Sequence, residues 1–254
     1  MLMSVVDELR LDAVYPELAG ARVLVTGLST TCGIDIARAF ADHRARLIVR
    51  AAEDTPEIDE FAAVINQTAA DLRLFTESDA ANANAAVAFT QGPAQQAFGG
   101  LDVAVNLITV SNRDFAGCND LDDIEDAIAF KLAAVTRMTR VLANRMRLTM
   151  TEGSILNVVV APESADPATT MLTGMLRSTV AALTKEEAKK WASEAIRINS
   201  VVPKAFDPFD DEDESPAMSE PDVAALALYL ASAKGSRLSG HIFEATRITA
   251  RAGR

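Results

Sequence analysis

Short apolar runs alternate with longer helical segments along most of the chain, and this alternation constrains the fold more than any other feature. The segments between the runs carry apolar residues at the 3.6-residue spacing of a helix that buries one face. Strands that alternate with helices indicate repeated βαβ units, in which the strands are parallel and helices cover both faces of the sheet. The sequence therefore predicts a doubly wound α/β fold with about seven parallel strands.

The predicted strands are rich in Val, Leu and Ile, and the predicted helices lie between them. The strands are Arg22–Thr26, Arg46–Arg50, Asp71–Phe75, Leu101–Leu107, Ser154–Val160, Arg197–Val202 and His241–Glu244. The helices are Ile34–Asp42, Asp79–Phe98, Leu121–Arg147, Met171–Glu194 and Asp222–Ala233. Because 254 residues fit one large α/β domain with a substantial core, we expect a single domain over residues 1–254.

One stretch departs from this pattern. Residues 206–222 read FDPFDDEDESPAMSEPD, with many acids, three prolines and no basic residue. Such a segment repels itself and lacks apolar anchors, so we expect an exposed acidic loop. The loop is interpreted as a solvated connector, and an acidic interaction surface is the alternative.

The charge balance excludes several classes of partner. A net charge of −12 and a pI near 4.7 would repel a nucleic-acid backbone, and no basic patch offsets this charge. Two cysteines and two histidines are too few for a disulfide framework or a metal site. No apolar run approaches the roughly 18–20 residues of a membrane span. Since the N-terminal segment carries Asp7, Glu8, Asp12 and Glu17, which do not suit a signal peptide, we expect a cytoplasmic protein.

The first predicted strand runs directly into a glycine-containing turn and then a helix. The turn reads Thr-Gly-Leu-Ser-Thr-Thr-Cys-Gly-Ile over residues 26–34. In this setting the glycines allow a tight turn and bring backbone N–H groups, with the positive end of the helix, close to a pyrophosphate. The candidate cofactor-binding residues in the turn are Gly27, Ser29, Thr30, Thr31, Gly33 and Ile34.

The turn resembles the Thr-Gly-x-x-x-Gly-x-Gly motif of short-chain dehydrogenases/reductases, and the resemblance extends from about Gly20 to Glu244. LDVAVN at Leu101–Asn106 resembles the fourth-strand motif of that family, and GSILN at Gly153–Asn157 resembles the fifth. AALTKEEAKKWASEAIRINSVVP resembles the helix and sixth strand that follow. The resemblance implies a Rossmann-type fold, a nicotinamide dinucleotide and hydride transfer.

The cofactor motif is nevertheless altered at several positions. Thr31 stands where the family has its middle glycine, which weakens phosphate binding through the added Cβ, although its hydroxyl could donate a hydrogen bond. Ala51 stands where an acid would bind the adenosine ribose of NAD. Arg50 beside it either meets a 2′-phosphate or is simply solvated. We therefore expect weak NAD(P) binding, with NADP preferred over NAD.

Two further departures lie near the adenine and along the cofactor path. Thr76 replaces an expected Asp, and Leu107-Ile108-Thr109 follows Asn106 where Asn-Ala-Gly is expected, so bulk fills a site that usually lets the cofactor pass. Asn106 itself is a candidate cofactor-binding residue. Its alternative role is to join adjacent strands by hydrogen bonds.

All four catalytic positions implied by the resemblance are substituted. Thr173 stands for the proton-donating tyrosine, Arg177 for the lysine, Val160 for the serine and Lys131 for the asparagine. A threonine hydroxyl is too weakly acidic to replace a phenol, and a guanidinium does not release its proton. Arg177 could still hold a ribose or phosphate, although Lys131 and Arg177 are interpreted first as charge pairs or solvated side chains. No catalytic residue is therefore assigned from sequence.

Two hypotheses of function follow from these departures. The sequence favours a non-catalytic, dehydrogenase-like protein retained for binding, sensing or oligomerisation. The alternative is a divergent NAD(P)-dependent oxidoreductase acting on a carbonyl or alcohol, with a relocated proton donor such as Asp114, Glu163 or Asp166. A homodimer or homotetramer is expected, because family members pair through helices that correspond to Leu121–Arg147 and Met171–Glu194.

Overall fold

The computed structural model describes residues 15–76, 98–118, 120–162, 165–204 and 219–245. Their strands form one parallel sheet in the order β3-β2-β1-β4-β5-β6-β7, which confirms the predicted doubly wound α/β fold. The strands are β1 (Arg22–Leu28), β2 (Arg46–Ala51), β3 (Asp71–Thr76), β4 (Val103–Thr109), β5 (Ser154–Val160), β6 (Arg197–Pro203) and β7 (Ile242–Ala245).

Helices pack on both faces of the sheet. They are α1 (Ile34–Asp42), α2 (Pro56–Ile65), α3 (Leu121–Leu148), α4 (Pro167–Trp191) and α5 (Glu220–Ala231). Helices α1, α2 and α5 share an apolar cluster on one face, and α3 and α4 cover the other. Side chains alternate along each strand, so Val23 and Val25 of β1 enter the first cluster while Leu24 between them enters the second. None of the helices in these described ranges is long and apolar enough to cross a membrane.

The sheet has a switch point between β1 and β4. Strand β1 lies between β2 and β4. From β1 the chain adds β2 and β3 on one side of the sheet, and it then adds β4 to β7 on the other side. Open α/β sheets bind ligands beyond the carboxyl ends of the strands at such a point. Here Thr26 of β1 pairs with Asn106 of β4, which in turn pairs with Asn157 of β5. The glycine turn therefore begins at the point where a dinucleotide crevice is expected.

Helix α2 is absent from the sequence prediction. Pro56 opens it, Glu57 and Asp59 lie in its first turn, and Ile58, Phe61 and Ile65 are buried on one face. These are recognisable start and periodicity signals. The predicted helix Asp79–Phe98, apart from its last residue, lies outside the described residues.

Two helices begin earlier than predicted because their caps lie in polar sequence. Helix α4 starts four residues before Met171, since the Asp166 carboxylate accepts the N–H of Thr169 at 2.7 Å and caps the helix. Helix α5 starts at Glu220, where the N–H of Ser219 donates to Asp222 at 2.9 Å. The end of the predicted acidic loop is therefore helical, and residues 206–218 of that loop lie outside the described part of the chain.

Candidate active site

The glycine turn needs its glycines. Gly27 and Gly33 adopt φ angles of 77° and 99°, in the left-handed region that L-residues with a Cβ disfavour. A Cβ on Gly27 would lie 2.3 Å from the carbonyl oxygen of Leu107, which is far inside van der Waals contact. Both glycines are therefore required by backbone geometry, as the sequence motif predicts.

The backbone at Thr31 does not adopt a positive φ angle, so its Cβ causes no backbone strain there. Among the described residues other than glycine, positive φ angles occur at Arg44, Met150 and Ala195, and Thr31 is not one of them. Its Oγ1 lies 3.1 Å from Ser29 Oγ, which also accepts the N–H groups of Thr31 and Cys32 at 3.3 and 3.2 Å. The hydroxyl of Ser29 thus accepts two amide N–H groups of the turn that could otherwise donate hydrogen bonds to a phosphate.

Leu107 packs directly against this turn. A Cβ on Gly33 would lie 2.5 Å from Leu107 Cδ1, and the leucine is only 7% exposed. The side chain therefore occupies the space beside the third position of the glycine motif. That this bulk narrows the path of a cofactor stays a prediction.

A cavity of about 240 Å³ opens at the switch point, and we call it the crevice cavity. Its wall includes Thr26, Gly27, Arg50, Leu107, Lys131 and Asn157. The volume lies a little below that of ordinary small-molecule pockets, which hold about 300–1,000 Å³. Arg50, at the end of β2, and Lys131, on α3, bring cationic side chains to this wall.

A buried amide network forms the floor of the crevice cavity. Thr26 Oγ1 donates to Asn106 Oδ1 at 3.2 Å, and Asn106 Nδ2 donates to Asn157 Oδ1 at 2.8 Å. Thr139 of α3 donates to the same Asn157 oxygen at 3.2 Å. Asn106 therefore joins β1, β4 and β5, which is its predicted structural role. Asn157 Nδ2 is buried with no hydrogen-bond partner among the described residues, and it leaves a donor available at the cavity.

An ion pair joins Lys131 to Asp114. Lys131 Nζ lies 2.6 Å from Asp114 Oδ1, and the two side chains are 23% and 19% exposed. The N–H of Ser111 donates to the other carboxylate oxygen of Asp114 at 3.0 Å, which fixes the carboxylate. The amine that replaces the family's asparagine is thus held in place at the crevice cavity, where it can donate hydrogen bonds.

The positions that correspond to the family's tyrosine, lysine and serine are occupied by side chains with structural contacts. Thr173 Oγ1 donates to the carbonyl of Thr169 at 2.8 Å along α4, and Val160 is buried. Arg177 donates from Nε to the carbonyl of Pro203 at 3.0 Å and pairs with Glu244 of β7. Arg177 therefore forms a charge pair with Glu244, which is one of the two structural interpretations given in the sequence analysis.

A second cavity, of about 370 Å³, adjoins these positions, and we call it the α4 cavity. Its wall includes Ala161, Thr170, Thr173, Arg177, Ser178 and Lys204. Among the described residues, this wall is rich in hydroxyl and cationic groups and holds no carboxylate and no phenol. It can accept a polar molecule, whereas it offers no acid with a pKa near neutrality.

Of the three proposed replacement acids, Asp114 alone is both described and paired with a residue that lines a cavity. Asp166 caps α4, and the N–H of Thr169 lowers the pKa of its carboxyl, which keeps it ionised. Glu163 lies outside the described residues. Cys32 offers no alternative, because burial raises the pKa of its thiol to about 12.

Glu220 is a residue at this site that the sequence analysis does not single out. Its Oε1 accepts the N–H of Asp35 at 2.6 Å, and the nearby amides of Gly33 and Ile36 lower the pKa of the carboxyl group. Burial raises the pKa of Glu220, and the charge of Asp35 acts in the same direction against the lowering effect of these amides. The contact joins residues 185 apart, so no local signal predicts it.

Comparison with known proteins defines the class. The family described as short chain dehydrogenase matches residues 21–217, and the chain belongs to this family. It is 27% identical to oxidoreductase UcpA of Escherichia coli, with 88% of this chain and 92% of the relative covered. It is also 27% identical to a galactitol 2-dehydrogenase of Cereibacter sphaeroides, covering 89% and 93%.

The fold is shared with solved structures. A short-chain dehydrogenase from Burkholderia cenocepacia, solved in complex with NADP, has a TM-score of 0.67 at 21% identity. The match covers 90% of this chain and 97% of that one.

These findings correct the main functional prediction. The hypothesis of a non-catalytic binding or scaffold protein is wrong, because the family and the named relatives are oxidoreductases and dehydrogenases. The hypothesis counted four substituted positions as a lost site. The structure places one of them, Lys131, in an ion pair with Asp114, which is one of the two interpretations that the sequence analysis gave for this lysine.

Proposed function

We propose that the protein is an NAD(P)-dependent oxidoreductase that interconverts a carbonyl compound and an alcohol, with Lys131 as its relocated proton donor. The observation that carries this proposal is the Lys131–Asp114 ion pair at the wall of the crevice cavity. Membership of the short chain dehydrogenase family supports the reaction class. The position of the cavity, at the switch point of the sheet, supports a dinucleotide as its occupant.

Several described groups fit a dinucleotide, although two oppose it. The Gly27 and Gly33 conformations form a cradle that a Cβ would fill, and helix α1 begins directly after it. Arg50 lines the cavity beside Ala51, so a 2′-phosphate meets a cation while a free ribose lacks a carboxylate partner. This combination favours NADP(H), the ligand of the Burkholderia structure. Leu107 and Glu220 work against binding, which supports a modest affinity.

The bound cofactor supplies the hydride, and the protein supplies the proton. Lys131 Nζ carries the proton that neutralises the developing oxyanion of the substrate, and in the oxidative direction its neutral amine accepts the proton from the alcohol. The Asp114 carboxylate holds the Lys131 amine at 2.6 Å and fixes its position at the cavity wall. Because Lys131 is still partly exposed, solvent can return the proton after each turnover.

The remaining groups of the crevice cavity orient ligands and exclude water. Val135 and Met138 of α3 contribute apolar wall, and both are largely buried. The unpaired Asn157 Nδ2 offers a hydrogen bond to an acceptor atom in the cavity. Apolar walls with a few directed polar groups are typical of small-molecule sites.

The test is NADPH and NADH oxidation with a panel of diketones, aldehydes, ketoses and cyclic ketones. We expect turnover with at least one carbonyl, faster with NADPH than with NADH. Lys131→Met should lower kcat by about 10²–10⁴-fold, the usual contribution of a general acid. Lys189→Met, which removes an exposed lysine near the end of α4, is the matched control and should leave kcat unchanged.

Two results would contradict the proposal. Absence of nicotinamide oxidation across the whole panel would contradict the oxidoreductase assignment. Full activity in Lys131→Met would contradict the role of Lys131 and leave the reaction class intact.

A further inference from the structure

A carboxylate from the last helix lies at the start of the helix that follows the glycine turn. Glu220 is the first residue of α5, and its Oε1 accepts the N–H of Asp35 in the first turn of α1 at 2.6 Å. The residue is 6% exposed, so the contact is internal. It is not explained by capping of its own helix, where Ser219 and Asp222 already pair.

Glu220 uses the amides that make this helix start attractive to anions. The first four N–H groups of a helix lack partners within it, and in Rossmann-type turns these groups and the helix dipole attract a pyrophosphate. Here the N–H of Asp35 donates to the Glu220 carboxylate, and the nearby amides of Gly33 and Ile36 lower the pKa of the same group. The amides of Thr31 and Cys32 are directed at Ser29 Oγ. Side-chain oxygens of the chain therefore already accept the amides of Thr31, Cys32 and Asp35, which could otherwise bind a phosphate.

Negative charge at the start of α1 also opposes the binding of a phosphate. Asp35 brings a second carboxylate to the helix start, and its charge acts on Glu220. A dinucleotide would bring two phosphate charges to the same end of the sheet, and like charges a few ångströms apart repel strongly when water is excluded. The carboxylate is itself held there at a cost, since burial raises the pKa of Glu220.

We propose that Glu220 is an internal anion that competes with the phosphates of a bound nucleotide and thereby sets the nucleotide affinity of the protein. This inference rests on the proposed function in assuming that the crevice takes a dinucleotide. It assigns to a residue of α5 a role in specificity that a simple cap would not have. Removal of the charge takes away the repulsion that a phosphate would meet at the helix start.

The experiment compares Glu220→Gln with the wild-type protein and with Asp222→Asn. The glutamine keeps the shape of the side chain and an acceptor oxygen, and Asp222→Asn removes an equal charge from the exposed side of the same helix turn. NADPH binding is followed by fluorescence without any carbonyl substrate, and inorganic pyrophosphate binding by the shift in Tm. We expect NADPH to bind Glu220→Gln about tenfold more tightly, equivalent to about 1.4 kcal/mol. Pyrophosphate should raise its Tm more than that of the wild type, and Asp222→Asn should behave as wild type.

Unchanged or weaker binding in a folded Glu220→Gln protein would overturn the inference and reduce Glu220 to a cap of α1. An equal gain in Asp222→Asn would also overturn it, because the effect would then be one of net charge. If Glu220→Gln does not fold, pyrophosphate should restore folding, and failure to do so counts against the inference. Tighter binding without turnover contradicts only the proposed function, and turnover with unchanged affinity contradicts only this inference.

Discussion

At the scale of single residues, the crevice is shaped by contacts between side chains and the glycine turn. Leu107 Cδ1 fills the space next to Gly33, and the same leucine's carbonyl oxygen faces Gly27. Of these two contacts, only the one with Gly33 depends on the side chain. The size of that side chain therefore controls how closely a ligand can approach the turn at Gly33. Leu107 is therefore the residue at which a smaller side chain tests the cofactor path most directly.

We predict that Leu107→Ala tightens NADPH binding by about tenfold while it destabilises the fold. The alanine relieves the crowding beside Gly33, and an affinity gain of this size corresponds to about 1.4 kcal/mol. The lost burial should lower the free energy of unfolding by about 2–5 kcal/mol. Fluorescence titration and chemical denaturation measure the two effects.

The matched control for Leu107→Ala is Leu156→Ala. Leu156 of β5 is buried in the same apolar cluster as Leu107 but does not face the glycine turn, so its truncation should cost similar stability without an affinity gain. If both variants bound NADPH more tightly, general loosening of the core would explain the result, and the role of Leu107 would be rejected.

At this scale, a contact can be predicted from the sequence when it depends only on residues that are close together in the chain. Gly27 and Gly33 are readable because a positive φ angle is a local demand. The pairing of Lys131 with Asp114 depends on how α3 docks against the loop after β4, so sequence offered both residues without joining them. The contact of Glu220 with α1 depends on the packing of two helices that are far apart in the chain.

At the scale of elements, periodicity predicts the strands and most helices to within a few residues. The central strands succeed because both faces of the sheet are covered there, so that these strands are largely buried and apolar, unlike the partly exposed edge strand β3. The missed helix α2 is short and half exposed, so its three buried residues gave a weaker pattern than the long helices. The errors at the starts of α4 and α5 arise from polar capping residues, which belong to the helix but not to its apolar stripe.

We predict that the protein self-associates through α3 and α4. Phe130, Met171 and Met175 are 41%, 47% and 37% exposed, which is unusual for large apolar side chains on two adjacent helices. Met171→Arg combined with Met175→Arg should convert an oligomer to a monomer, because two buried cations would oppose the interface. Light scattering at micromolar concentration measures the mass.

The control for self-association is Val64→Arg. Val64 is 51% exposed on α2, on the opposite face of the sheet, so this variant adds a cation without touching the proposed interface. A wild-type protein that is already monomeric would contradict the prediction, as would a double variant that keeps the wild-type mass.

At the scale of the whole molecule, the four catalytic positions implied by the family resemblance differ in what surrounds them. The crevice cavity holds the Lys131–Asp114 pair, and the α4 cavity carries the tyrosine and lysine positions. In the α4 cavity, Arg177 is committed to structure, since it links α4 to the end of β6 and to β7. Substitution there changes how the sheet edge is held as well as which groups face a ligand.

We predict that Thr173→Tyr with Arg177→Lys and Val160→Ser does not raise carbonyl reduction above the wild-type rate. A lysine cannot reproduce the two contacts that Arg177 makes with Pro203 and Glu244, and Val160→Ser places a hydroxyl at a position that is only 1% exposed. Catalysis also needs the nicotinamide held close to its substrate, and Leu107 still crowds the glycine turn. NADPH oxidation should be measured in the triple variant with and without Lys131→Met. If the triple variant reduced a generic diketone well above the wild-type rate, and kept that rate without Lys131, the proton donor would have to be assigned to the α4 cavity.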